Sequence, residues 1–299
     1  MPFYGSRSHL YNTEHMKTFY EITARNFGWG WGYGFFSNYR VCLEQLILHY
    51  ERNDKRIPYI NWGGTTWVES FSPSDPYPVM TDENPFDFWY DQEIPQLTDE
   101  VIVCPNKVAD TIDHASDYFS DTTQLKRQQY VDRLYLKPKK HILDAVDNIY
   151  EKELRGHTVL GIMARGSEYN NVHPQYGIFG IDDYIAGISK ILDKNTDIDK
   201  LFIVSEETEF VEKLHKAFPS SYFVPDVFRR TDETFEYIVT VHFWCNISRK
   251  RENHCRLLGE EVILQTKLLG KCDYLFGRFS GVLAGAVLWG DNIKKVYQL

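Results

Sequence analysis

The sequence predicts an α/β protein built on parallel sheets, and three observations carry that prediction. Residues 159–289 alternate apolar strand-like runs with helix-period segments, the pattern of a parallel sheet covered on both faces. An earlier stretch gives loop, helix and strand in the order of an α/β unit. The length of 299 residues suits two domains of ordinary size better than one.

The first element is glycine-rich. In Asn26-Phe27-Gly28-Trp29-Gly30-Trp31-Gly32-Tyr33-Gly34-Phe35-Phe36-Ser37-Asn38 the alternating glycines let the backbone turn sharply and approach a ligand. It leads into residues 39–50, apolar at helical spacing, so the loop caps a helix N-terminus, and Gly34 within it is a candidate ligand contact. Arg56-Ile57-Pro58-Tyr59-Ile60-Asn61-Trp62 follows as a short buried strand. Residues 63–95, dense in Pro, Ser, Asp and aromatics without a period, are expected to form one long ordered loop. Residues 124–153 read as helical, with Leu125, Val131, Leu134, Ile142, Ala145, Val146 and Ile149 on the apolar positions. The domain junction is expected at Pro138, giving units 1–138 and 139–299.

In the second unit the expected order is strand 159–164, helix 182–192, strand 201–205, helix 207–218, strand 222–224, helix 260–269, strand 274–277 and a small-residue helix over 280–289. Asp182-Asp183 reads as a helix cap rather than a metal-binding pair.

Composition narrows the function classes. The net charge of -9 argues against a nucleic-acid partner, so any phosphate must be met locally. Aromatic content is high (Tyr 20, Phe 19, Trp 7) and much of it lies in the N-terminal third, where loop rings suit sugars, bases or protein surfaces and the others fill the core. Five cysteines without CxxC spacing indicate neither a disulfide framework nor a zinc site, and point to a reducing compartment. No apolar run reaches the roughly 18 residues of a membrane helix, and the first residues lack a signal-peptide core, so a cytoplasmic protein without a membrane span is expected.

Three strand ends carry the candidate chemistry. Val159-Leu160-Gly161-Ile162-Met163-Ala164 stops at Arg165-Gly166-Ser167-Glu168, which delivers a guanidinium to the carboxyl edge of the sheet, where α/β folds bind ligands. Strand 201–205 ends at Glu206-Glu207, a carboxylate for ribose hydroxyls or a base edge, or a helix N-terminus dressed for its dipole. Phe276-Gly277-Arg278-Phe279-Ser280-Gly281 ends a strand and opens a helix, with Ser280 as N-cap and free N–H groups suited to phosphate. Arg165 with this second loop makes a nucleotide diphosphate site. His173, after the Arg165 loop, either reaches a donor sugar or shapes a turn. Arg229, Arg230, Arg249, Lys250 and Arg251 can add positive charge over the diphosphate; a solvated basic face is expected for most of them, and Arg249 is the one to test.

These runs, together with Glu261-Val262, Gln265, Leu268-Leu269 and Cys272-Asp273-Tyr274, resemble the fucosyltransferase superfamily of GT-B enzymes, which includes α-1,6-fucosyltransferases, nodulation fucosyltransferases and protein O-fucosyltransferases. Gly34-Phe35-Phe36-Ser37-Asn38, residues 57–62 and Asn84-Pro85-Phe86-Asp87-Phe88-Trp89-Tyr90 resemble bacterial members. The similarity spans most of the chain, and its more specific motifs lie in the C-terminal half.

The resemblance implies a GT-B fold, two Rossmann-like domains facing across a cleft, with the acceptor on 1–138 and the nucleotide sugar on 139–299. It implies metal-independent, inverting transfer of one sugar, by default L-fucose from GDP-fucose, to a glycan hydroxyl. Arg165 would hold the departing diphosphate with Phe279, Ser280 and Gly281 as N–H donors; no cofactor is expected beyond the nucleotide-sugar substrate. Three departures stand out: Met163 where many relatives have a nucleoside-contacting histidine, Glu168 where aspartate is usual, and Tyr33 where one group carries its basic glutamate. Met163 keeps a UDP-sugar reading open, such as UDP-xylose, and Tyr33 a noncatalytic glycan-binding protein. An inverting enzyme needs a base for the acceptor hydroxyl. Asp75, in Ser72-Pro73-Ser74-Asp75-Pro76-Tyr77, is the first candidate, with Glu69 and Asp87 behind it; Trp29, Trp31 and Tyr33 would stack on an acceptor sugar.

Overall fold

The computed structural model describes residues 16–23, 34–63, 65, 67, 83–104, 121–166, 170, 177–230 and 251–299. The chain opens with strand β1 (Thr18–Thr23), then helix α1 (Phe35–Glu51) and strand β2 (Ile57–Asn61). Helix α2 (Phe86–Trp89) and strands β3 (Tyr90–Asp91) and β4 (Glu100–Val103) follow. The order β2-β1-β4 is parallel throughout. The single loop expected over 63–95 is thus interrupted, because Phe86, Trp89 and Tyr90 are buried anchors that hold α2 and β3 on the core.

Helix α3 (Thr122–Tyr135), strand β5 (Lys137–Pro138) and helix α4 (Lys140–Ile149), which runs on into a π-turn over Tyr150–Leu154, match the expected helical stretch. Asp121 caps α3, its carboxylate accepting from Thr123 and Gln124 N–H. β3 and β5 pair antiparallel.

The second sheet comprises β6 (Val159–Ala164), β7 (Lys200–Ser205), β8 (Tyr274–Gly277) and β9 (Lys295–Gln298), parallel, in the order β7-β6-β8-β9. Helices α5 (Ile181–Lys194), α6 (Thr208–Ala217), α7 (His254–Gly270) and α8 (Gly281–Trp289) connect them. All six β6 residues are buried, as a central parallel strand requires. The strand expected at 222–224 shrinks to one parallel bridge, Tyr222 to Phe202, because Pro225 follows at once and supplies no N–H to a ladder. With that bridge the spatial order is third, second, first, fourth, fifth in chain order, so the order reverses between β6 and β8. That reversal is the switch point at which doubly wound sheets bind ligands. Asp183 accepts from the Gly180 N–H at 2.7 Å and caps α5 as its position suggested.

Two apolar clusters cover the faces of the second sheet, and a third, largely aromatic, fills the space between α1 and the first sheet. In the third, Phe35 meets Trp62, Trp67 and Trp89 edge-on with ring centroids 5.3 to 5.5 Å away. Cys255, Ile263 and Leu288 close it from α7 and α8, so helices of the C-terminal half complete the N-terminal core. Trp89 Nε1 donates to Arg256 O at 2.8 Å, and a Cβ at Gly259 would overlap the Trp89 ring. A polar knot lies in the same seam: the buried Asp132 accepts from the Tyr39 hydroxyl and, at 3.3 Å, from Trp289 Nε1, with Lys267 Nζ 4.2 Å above the Trp289 ring.

Candidate active site at the sheet switch point

Arg165 leaves the end of β6 and pairs with Glu206, just past β7, at 3.0 Å. The Arg165 side chain is 14% and that of Glu206 23% exposed, so the pair reaches solvent at the carboxyl edge. The Arg165 peptide is clamped by Tyr184 of α5: its N–H donates to the tyrosine oxygen at 2.9 Å and its carbonyl accepts from the hydroxyl at 3.3 Å. Burial pushes the Tyr184 phenol up to about 12, so it stays a neutral donor in this role.

Glu207 turns the other way. Its carboxylate takes the buried Arg230 guanidinium at 2.6 Å, and a Cβ at Gly166 would overlap that carboxylate. Gly166 is therefore glycine because a buried ion pair lies against it. Arg230 N–H donates to Glu206 O and Thr208 N–H to Arg230 O, so backbone contact satisfies the first N–H of α6. Arg229 donates to Val224 O at 2.6 Å, and Arg251 forms two bonds to Glu261, at 2.6 and 3.0 Å. The solvated basic face expected for most of this group is not found at Arg229, Arg230 and Arg251, since each guanidinium donates to an internal acceptor.

On the other side of the switch point, Ser280 is the N-cap of α8, with Oγ accepting from Leu283 N–H at 3.3 Å. The N–H groups of Gly281 and Val282 are those a first turn leaves without an intrahelical partner. Gly34 is the N-cap of α1, its carbonyl accepting from Ser37 and Asn38. Phe36 of α1 lies on α8: a Cβ at Gly281 would come within 2.9 Å of Phe36 Cβ, and one at Gly285 would overlap the ring. The two helices therefore start side by side, which brings Gly34, Gly281 and Ser280 to one place.

Met163 is 2% exposed and belongs to the core cluster that includes Val204, Leu283 and Val287. Its side chain is core, and it offers a nucleoside no surface. Asp87, the reserve base, is held by Gln92, whose Nε2 donates to it at 2.7 Å and to Ile60 O at 2.8 Å, and burial raises its pKa. Asp75, Glu69, Ser167, Glu168, His173, Arg249, Lys250, Trp29, Trp31 and Tyr33 lie outside the described residues. Tyr184, Arg230 and Arg278 were missed as contributors; the signal for Arg278 was its position one residue beyond a strand that ends at the switch point. Among the described residues no group of three or more His, Cys, Asp or Glu side chains is placed to hold a metal ion, and no helix is long and apolar enough to cross a membrane.

No protein-family model and no curated protein matches the sequence. Solved structures do. The fucosyltransferase NodZ from Bradyrhizobium aligns over 92% of this chain and 94% of its own at 14% identity, with a TM-score of 0.51. NodZ α-1,6-fucosyltransferase co-crystallized with GDP aligns over 92% and 93%, at 14% identity and the same TM-score of 0.51. The chain has the GT-B fold of these fucosyltransferases, as its motifs implied.

Proposed function

We propose that the protein is an inverting glycosyltransferase that moves one sugar from a nucleoside diphosphate donor to a glycan hydroxyl, with GDP-fucose as donor. The carrying observation is the grouping of Arg165 and the Ser280-capped start of α8 at the β6/β8 switch point. NodZ was crystallized with GDP on the same fold, which makes GDP the first leaving group to test. In this reading units 1–138 and 139–299 face across a cleft, with the acceptor on the first and the nucleotide sugar on the second.

The acceptor oxygen attacks the anomeric carbon as the bond to the diphosphate breaks. The electron pair leaves with the diphosphate, and the acceptor proton passes to a carboxylate, for which Asp75 is the candidate. Charge grows on the departing phosphate, so donors already aimed at it lower the barrier. Arg165 supplies a planar guanidinium, and the first-turn N–H groups of Gly281 and Val282 supply backbone donors with the favourable end of the helix dipole. Glu206 accepts from the ribose, while Gly34, Gly166, Ser167, Glu168, His173 and Arg249 complete the donor surface. No metal is assigned to the step.

The reading is tested by titration with GDP and UDP, then mass spectrometry of glycan acceptors supplied with nucleotide sugars. Tighter GDP binding and a GDP-fucose-dependent product are expected. Tighter UDP binding sinks the fucose assignment, and no product with any donor sinks the transferase.

A further inference from the structure

Arg278 follows β8 directly, and β8 neighbours β6 with Gly277 opposite Met163. An arginine here would ordinarily be counted as a second phosphate ligand. Its surroundings give it another task. Arg278 is 2% exposed, and a guanidinium so buried costs several kcal/mol unless its donors are met. Both terminal nitrogens are met by residues that follow Arg165: Nη1 donates to Asn170 Oδ1, Nη2 to Gly177 O, and the guanidinium lies 5.3 Å from the Phe179 ring centroid.

The acceptors are themselves held. Asn170 accepts from Phe179 N–H at 3.1 Å and donates to Phe179 O at 2.9 Å. Its own N–H donates to Gly166 O at 3.4 Å, next to Arg165. Gly177 has φ +93, and a Cβ there would lie 2.6 Å from the Phe179 ring, so only glycine presents its carbonyl to Arg278 in this way. A planar fork reaching two acceptors and a ring at once is a guanidinium property that lysine lacks.

We propose that Arg278 is a positioning residue for diphosphate binding: by clasping Asn170, Gly177 and Phe179 it fixes the chain leaving β6, and with it the direction of the Arg165 guanidinium, without touching the ligand. The proposal rests on the nucleoside diphosphate reading above. Tyr184 holds the Arg165 peptide from α5 while Arg278 holds the chain beyond it, so the phosphate-facing side chain stands between two fixed points.

The test is a double-mutant cycle on the full chain: wild type, Arg278→Gln, Asn170→Ala, Arg165→Ala and Arg165→Ala/Arg278→Gln, each titrated with GDP, GMP and inorganic pyrophosphate and melted thermally. Arg278→Gln should weaken GDP and pyrophosphate by about tenfold and leave GMP within about twofold, the size of a misaimed charged hydrogen bond. In the Arg165→Ala background it should cost nothing more, because both changes remove one interaction. Asn170→Ala keeps the arginine and should reproduce the GDP-selective loss, which covers the case in which Arg278→Gln does not fold. Equal losses for GDP and GMP, or effects that multiply with Arg165→Ala, overturn the proposal. Wild type that binds pyrophosphate but neither nucleotide overturns the donor reading and leaves the cycle readable with pyrophosphate; wild type that binds none of the three overturns both.

Discussion

The Arg165 guanidinium and the Glu206 carboxylate form an ion pair 3.0 Å long between the ends of two neighbouring strands. A diphosphate arriving at Arg165 must compete with that carboxylate. Glu206→Gln therefore tightens inorganic pyrophosphate by about threefold, the weight of a partly screened ion pair. The same change lowers the preference for GDP over pyrophosphate, since an amide is a poorer acceptor for ribose hydroxyls than a carboxylate. Parallel titrations with the two ligands give that ratio, and a ratio equal to the wild-type one removes Glu206 from the nucleoside site.

Gly285 and Phe36 set the distance between α8 and α1. In an exposed helix Gly→Ala would gain about 1 kcal/mol of propensity. Here the new Cβ overlaps a ring already walled in by Phe35, Tyr39 and Trp289, so overpacking decides the sign. Gly285→Ala is expected to destabilise the protein by roughly 1–3 kcal/mol. Adding Phe36→Leu should return part of the loss. Denaturant melts of the three proteins check both expectations.

The Asp132 knot predicts a pH signature. Burial raises the Asp132 carboxyl above its usual range, so between its ordinary and its raised value the native state holds a proton that the unfolded chain has lost. Stability therefore falls as pH rises through that window, and Asp132→Asn, which keeps an acceptor for Tyr39 and Trp289, flattens the slope. Lys267 has the opposite sense: burial lowers it from 10.5 to about 8, the native state releases its proton first, and stability rises with pH between those values. Lys267→Met abolishes that rise. Melting temperatures from pH 4 to 10.5 for wild type and both variants report the two slopes.

Much of the second sheet was legible because its strands are apolar runs set between helix-period segments. The strand at 274–277 and the Ser280 cap lie where the sequence places them. β1, β4 and β9 escaped notice, since short strands flanked by polar residues leave too few positions for a period to show. Helix α7 begins at His254 instead of 260 because Gly259, a poor helix former, is required beneath Trp89, a contact no local pattern announces. Arg165 was legible as a strand-terminal arginine. The roles of Arg230 and Arg278 were not, since Glu207 is 23 and Asn170 108 residues away in sequence, and only the fold brings them together.

The central claim is a diphosphate site built on Arg165, and calorimetric titration of wild type and Arg165→Ala with GDP tests it most directly. The account predicts saturable GDP binding by wild type and a loss of about 100-fold or more in the variant, the scale of a charge-assisted bidentate contact, with the melting temperature held. Equal GDP affinity in a folded Arg165→Ala protein would contradict it.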